Sequence, residues 1–288
     1  MKNHVFLIQA HAYPELLLTL VERLKAPNHY FVIHIDNKSK VFDTFTNLVK
    51  GENVYFIKKR RNVNWGSVTQ IYLTLDLIEY AINLDCVFDY YHLISGQDMS
   101  IYSNIKFDNF FESINKSFME LDAKSEISHR YMFFQLDGLI NRRSIIGMFF
   151  FKGATRLQNK LSKYIKLRPN LPLKVYKGCN WWSLTNEAIK YIVSYIDNNP
   201  QYLKRFKFTT CCDEVFFHTI LFNSFLRKDI ILDDKRYTDW NAKEEDESLP
   251  RILNEYDYSK ILLSGALFAR KVSLEKSDKL IKLLIQND

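Results

Sequence analysis

The sequence predicts a single α/β domain with a mostly parallel central sheet flanked by helices, and three observations carry that prediction. Short apolar runs at residues 5–10, 30–35, 54–57 and 90–94 alternate with longer stretches of helical periodicity, the rhythm of strand–helix–strand units. The chain has 288 residues, 47% of them hydrophobic, with only 8 Gly and 6 Pro. Such a chain forms one unit without linkers and buries roughly three quarters of its unfolded surface. It contains no stretch of about 18 apolar residues, the length a membrane-spanning helix needs.

Taken in order, residues 5–10 (VFLIQA) form a buried strand. Pro14 then opens a helix whose Leu16, Leu17, Leu20, Val21 and Leu24 share a face. Residues 30–35 form a second strand that delivers Asp36. Ligands sit beyond the carboxyl ends of parallel strands joined by right-handed crossovers, so the 9–11 loop and Asp36 share a crevice. After a third strand at 54–57 and the cations Lys58, Lys59, Arg60 and Arg61, Ser67 caps an amphipathic helix running to about Leu84. Trp65, just before it, reads as a core residue. Residues 90–94 make a fourth strand ending in SGQD. A helix at 104–114, a short strand at 118–120 and a polar loop reaching Arg130 follow. Residues 181–184 form another strand, leading into a helix capped by Thr185 or Asn186. The block CCDEVFFHTILFNS at 211–224 is a helix with Asp213 as its N-cap and Glu214 projecting from its start. An apolar run at 230–232, an acidic loop at 244–247 and a closing amphipathic helix complete the chain.

The net charge of +7 is concentrated in one stretch. No acid lies between Asp137 and Glu187, whereas ten basic residues do, among them Arg142, Arg143, Lys152, Arg156, Lys160, Lys163 and Lys166. Interleaved with Phe149, Phe150, Phe151, Leu157, Leu161, Tyr164 and Ile165, they make a basic amphipathic helix. Two readings stay open: a helix lying on an anionic membrane, and a core-facing helix with a solvated face. No RNA- or DNA-binding module surrounds it, so no nucleic-acid partner is expected. The cysteines Cys86, Cys179, Cys211 and Cys212 lack zinc spacing, and the adjacent pair would make a strained bridge. They read as free thiols of a reducing cytoplasm. The first residues lack the pattern of a signal peptide.

The blocks HIDNKS, NWGS, HLISGQD, GCNWWSLT, CCDEVFFHTILFNS, RYTDW and SGALFARK, in this order, resemble the core-2/I-branching beta-1,6-N-acetylglucosaminyltransferase family, which also contains the peptide O-xylosyltransferases. The resemblance runs from about Val5 to about Val272 and is to a bacterial-type member, without the animal enzymes' membrane anchor and many disulfide cysteines. It implies a GT-A-like single glycosyltransferase domain over residues 1–288, with residues 1–100 as the nucleotide-binding half and 101–288 as the acceptor-binding and catalytic half. It further implies that Gln9, Ala10, His11 and Asp36 bind the nucleotide, that Gly96 and Asp98 face the donor sugar, and that Arg236 and Lys271 clamp the donor diphosphate. Glu120, Lys124, Arg130 and one of Trp181 and Trp182 would contact the acceptor. A turn cap is the competing reading of Asp36, and ordinary surface charge that of Glu120, Lys124 and Arg130.

Transfer from a nucleotide diphosphate needs a base for the acceptor hydroxyl and fixed positive charge for the leaving group. Glu214 is the candidate base. SGQD offers one carboxylate where a metal-holding pair has two, so no metal and no other cofactor is expected, and protein cations take that role. One catalytic carboxylate implies inversion. The expectation is therefore a metal-independent inverting transferase that uses a UDP-sugar, GlcNAc first and xylose second. Its expected acceptor is a lipid-linked glycan in bacterial surface polysaccharide synthesis, and its expected location the cytoplasm, peripheral on the inner face of the membrane. A non-catalytic, membrane-associated binding protein on the same fold is the alternative.

Overall fold

A computed structural model of the chain describes residues 1–122, 128–135, 144–241 and 249–287, with only the backbone of 128 and 129. Lys124, Arg142, Arg143 and the acidic loop at 244–247 lie outside the described residues. The strands are β1 (His4–Ala10), β2 (His29–Ile35), β3 (Val54–Phe56), β4 (Tyr90–Ser95), β5 (Asp98–Ser100), β6 (Ser117–Met119), β7 (Trp182–Thr185), β8 (Ile230–Ile231), β9 (Arg236–Thr238) and β10 (Phe268–Arg270). The helices are α1 (Pro14–Leu24), α2 (Phe42–Leu48), α3 (Val68–Ile82), α4 (Asn104–Glu112), α5 (Ser128–Met132), α6 (Ile145–Leu161), α7 (Asn186–Asn198), α8 (Pro200–Arg205), α9 (Asp213–Phe222), α10 (Tyr258–Leu263) and α11 (Leu274–Gln286).

The expected fold class is present. A sheet in the order β3-β2-β1-β4-β7-β6-β8 runs parallel through its first four strands, with β7 antiparallel to both β4 and β6. In β1 all residues but Gln9 are buried, because helices cover both faces of a parallel sheet and leave no solvated side. One covering layer contributes Leu17 and Leu20 of α1, Phe45 of α2 and Phe107 and Phe111 of α4. The other contributes Ile71 and Leu77 of α3, Ile189 of α7 and Val215, Phe216 and Ile220 of α9. Ser67 caps α3 as expected, its side chain accepting from Thr69 N.

A line of polar side chains crosses the first of these layers. Arg236 donates to Ser183 Oγ at 3.1 Å, Ser183 meets His92 at 2.9 Å, and His92 meets His4 at 2.9 Å. His29 reaches Asp108 at 2.7 Å close by. Burial, reinforced by the neighbouring His29, pushes the His4 imidazole down to about 3, so it stays neutral.

A second sheet, β5-β10-β9, joins residues from both ends of the sequence: Arg270 of β10 pairs with Asp98 of β5, and Phe268 with Arg236 of β9. These strands, DMS, RYT and FAR, carry no apolar run, and this sheet was not anticipated. It brings the two sequence halves into one body.

The helix α9 departs from its expected form in two ways. Val215 through Phe222 are all buried, so α9 is a core helix and not a two-faced one. Asp213 is not its N-cap. Cys212 already has helical dihedrals and makes no side-chain cap, which places Asp213 inside the first turn, where its carboxyl is buried.

Candidate active site

Three groups of residues meet beyond the carboxyl end of the sheet. In the first, the end of β1 is tied to the end of β2: Asp36 N donates to Ala10 O at 2.9 Å. The Asp36 carboxylate accepts from Lys38 N at 2.9 Å, the turn cap, and lies 3.8 Å from Lys38 Nζ. The structure thus brings Ala10, His11 and Asp36 to one edge. Desolvation, and next the Lys271 ammonium, hold the His11 imidazole below its usual range, against an opposing pull from Asp36. Lys271 therefore reaches this edge from the other end of the chain. Gln9 turns away, donating to Thr74 Oγ1 on α3 at 3.0 Å. His34 uses Nε2 to accept from Arg61 N at 2.9 Å, a structural role.

In the second group, two sequence-based assignments are corrected. Asp98 does not face a donor sugar. It is fully buried, and its oxygens accept from Ser95 N at 2.8 Å, Ser95 Oγ at 2.9 Å and Arg270 Nη1 at 2.6 Å. Arg236 does not present its guanidinium to a diphosphate. Its Nη2 donates to Leu93 O at 3.1 Å and Trp182 O at 2.8 Å, and its Nη1 to Ser183 Oγ and Asp234 O, so it staples β4 to β7. The cation these contacts point to is Arg270, adjacent to Lys271. Its guanidinium is anchored by Asp98 and lies over the Trp181 ring at 4.4 Å. Sequence reasoning missed Arg270, although FARK holds both cations.

Gly96 is likewise buried and serves packing: a Cβ there would stand 2.7 Å from Ala10 Cβ, and its N–H donates to Gln9 O at 2.9 Å. Of the tandem tryptophans, Trp182 is core, fully buried against Phe217 at 5.8 Å. Trp181 is the one on the Arg270 side.

The third group surrounds Glu214. Its Oε2 accepts from Arg130 Nη1 at 2.6 Å and stands 3.9 Å from Lys177 Nζ, which also pairs with Asp122 at 2.9 Å. The carboxylate stays partly open to solvent while its neighbour Asp213 is buried. Burial, with the Glu214 charge behind it, pushes the Asp213 carboxyl up to about 7. Two turns hold this corner. Gly66, at a φ of 71°, accepts from Cys211 N at 2.6 Å, clamping NWGS onto the block that begins α9. Gly178 donates to Glu214 O at 3.0 Å, and a Cβ there would fall 2.0 Å from Glu120 O. Only glycine lets the two segments approach so closely.

Glu120 is exposed beside this corner, its carboxyl raised by partial desolvation and then by Asp234 and Asp122. A cavity of about 610 Å³ reaches this corner through Arg130 and Cys211, its wall completed by Trp65, Phe133, Gln135, Thr155, Asn159 and Thr210. Arg130 belongs both to the cavity wall and to the Glu214 pair. Trp65 is 61% exposed here, against the expectation of a core residue. The left-handed Gly66 turn gives the physical reason.

Among the described residues, two groups set three potential metal-ligand atoms within 4.8 Å: His4, His29 and Asp108, and Glu120, Cys179 and Asp234. The first belongs to the hydrogen-bonded polar line beneath the sheet. The second borders the Glu214 corner.

A profile of the Core-2/I-Branching enzyme family matches residues 5–262. The chain is 22% identical to Xylosyltransferase sqv-6 of Caenorhabditis briggsae over 249 residues, covering 83% of this chain and 29% of that protein. It is 25% identical to Xylosyltransferase 2 of Homo sapiens over 238 residues, covering 79% of this chain and 25% of that protein. The chain thus spans less than a third of the length of these relatives. A crystal structure of mouse Xyloside xylosyltransferase 1 in its apo form aligns with 93% of this chain and 97% of that one, at 10% identity and a TM-score of 0.41. With the profile covering most of its length, the chain belongs to the Core-2/I-Branching enzyme family of glycosyltransferases.

Proposed function

We propose that the chain is a metal-independent, inverting glycosyltransferase that moves a sugar from a UDP-sugar to a hydroxyl of a glycan acceptor. One observation carries the reading: Glu214, partly open to solvent, is held by Lys177 and by Arg130, a residue of the cavity wall, while the lone acid of SGQD is consumed in anchoring Arg270. In this mechanism Glu214 removes the acceptor hydroxyl's proton as its oxygen attacks the anomeric carbon, a role that typically contributes ~10²- to 10⁴-fold in rate. The bond to the β-phosphate breaks on the opposite side. Arg270 and Lys271 meet the negative charge gathering on UDP, which favours the transition state over bound donor. Ala10, His11 and Asp36 receive the nucleotide, and Trp181 and Glu120 border the path of the acceptor.

GlcNAc is the first donor sugar in this reading. A specific observation favours a second: the relatives named above are xylosyltransferases, which makes UDP-xylose the competing donor. The acceptor is a lipid-linked glycan of a surface polysaccharide, met from the cytoplasmic side of a bacterial membrane. The test is a panel of UDP-sugars assayed by thermal shift and UDP release, with and without EDTA. The expected result is one preferred donor and turnover that survives EDTA. Loss of turnover restored only by manganese contradicts the metal-free mechanism and directs attention to Glu120, Cys179 and Asp234.

A further inference from the structure

The helix α6 carries its large apolar side chains outward. Ile146 is 82% exposed, Phe149 72% and Leu157 59%, whereas the residues it buries are Gly147 and Phe151. At 100° per residue, Ile146, Phe150, Leu157 and Leu161 form one outward stripe, and Lys152, Arg156 and Lys160 form another beside it, with Ile145 and Phe149 interleaved among these basic side chains. The segment after the helix continues the pattern, with Tyr164 and Ile165 exposed next to Lys163 and Lys166. No Asp or Glu occurs from Ser144 to Asn186.

Each possible occupant must satisfy both stripes. A second copy packed face to face would set the basic stripe against either itself or the partner's apolar stripe, with no acid in the segment to pair it in either case. A nucleic acid would neutralise the lysines but leave Ile146, Phe149 and Leu157 in water. An anionic bilayer surface offers a plane of negative headgroups directly above an apolar layer, and this matches the two stripes in their observed order. We infer that α6 and the segment through Lys166 lie in the interface of an anionic membrane. This inference rests on exposure and charge alone and is independent of the transfer reading. It also has a geometric consequence: Thr155 and Asn159 of the same helix line the cavity whose wall includes Arg130, the ion-pair partner of Glu214, so docking sets that cavity close to the lipid surface.

The test is sedimentation of the full chain with vesicles of phosphatidylcholine alone and of phosphatidylcholine with phosphatidylglycerol. Binding is expected to the anionic vesicles only and to weaken with added salt. Two variants, Ile146→Ser with Phe149→Ser, and Lys152→Glu with Arg156→Glu and Lys160→Glu, should each weaken it by about tenfold or more. Circular dichroism and the UDP thermal shift should not change. In the unmodified chain, amide exchange across 145–166 should slow on anionic vesicles, a readout that needs no variant. Absence of vesicle binding, unchanged exchange, or equal binding by folded variants overturns the inference. So does a stable dimer broken by the serine variant, or an RNA oligonucleotide that slows exchange in the same segment when vesicles do not.

Discussion

Arg270 and Arg236 show how two similar side chains take opposite roles. Arg236 spends its donors on Leu93 O, Trp182 O and Ser183 Oγ, all buried, whereas Arg270 is held by Asp98 with its face over Trp181. Arg270→Ala should therefore weaken UDP binding by about tenfold or more, since hydrogen bonds to charged groups contribute ~1.5 to 3 kcal/mol. Calorimetric titration with UDP checks this, and an unchanged Kd removes Arg270 from the diphosphate site. Asp213 supplies a stability prediction. Its folded carboxyl titrates at about 7, above its ordinary value of 3.8. Between those values the folded state holds a proton that the unfolded state has released, so stability falls as pH rises through this window. Asp213→Asn should stabilise the chain above pH 7 by up to ~4 kcal/mol and flatten the pH dependence between ~4 and 7. Denaturant melts across that range would show it, and a slope equal to the parent's would refute it.

At the scale of elements, the sheet and its covering helices were legible because their signals are periodic and long. The strands at 5–10, 30–35, 54–57 and 90–94 and the Ser67-capped helix follow directly from apolar runs and cap chemistry. The second sheet was not legible, since β5, β9 and β10 are three-residue strands of mixed polarity, DMS, RYT and FAR, that show no apolar run and pair across most of the chain. That gap explains the error over the cations: without β10 paired to β5, nothing in FARK tells which cation meets Asp98. The same holds for the tandem tryptophans, where strand alternation sends one inward but leaves open which. Glu214 was legible as the acid projecting from a helix start. Its partners Arg130 and Lys177 were not assigned to it, because the five-residue helix α5 and a distant irregular segment deliver them. Arg236→Ala tests the reassignment at this scale. Removing the staple leaves carbonyls of β4 and β7 unpaired, so thermal unfolding should show a loss of ~2 to 4 kcal/mol. The folded fraction should keep its UDP affinity; a large rise in Kd with no change in Tm would restore the clamp role.

At the scale of the whole molecule, β10 ties the closing third of the chain to β5 at the end of the first hundred residues. Leu267 and Phe268 pack in one core with Phe6, Ile8 and Phe31. The two sequence halves are then regions of one folding unit, and calorimetry should give a single transition with equal calorimetric and van't Hoff enthalpies. Two separated transitions would contradict the shared core. The most direct measurement of the central claim is Glu214→Gln, assayed for UDP binding and for turnover on the preferred donor. The account predicts a parental Kd with turnover lower by about a hundredfold or more; near-parental turnover would contradict it.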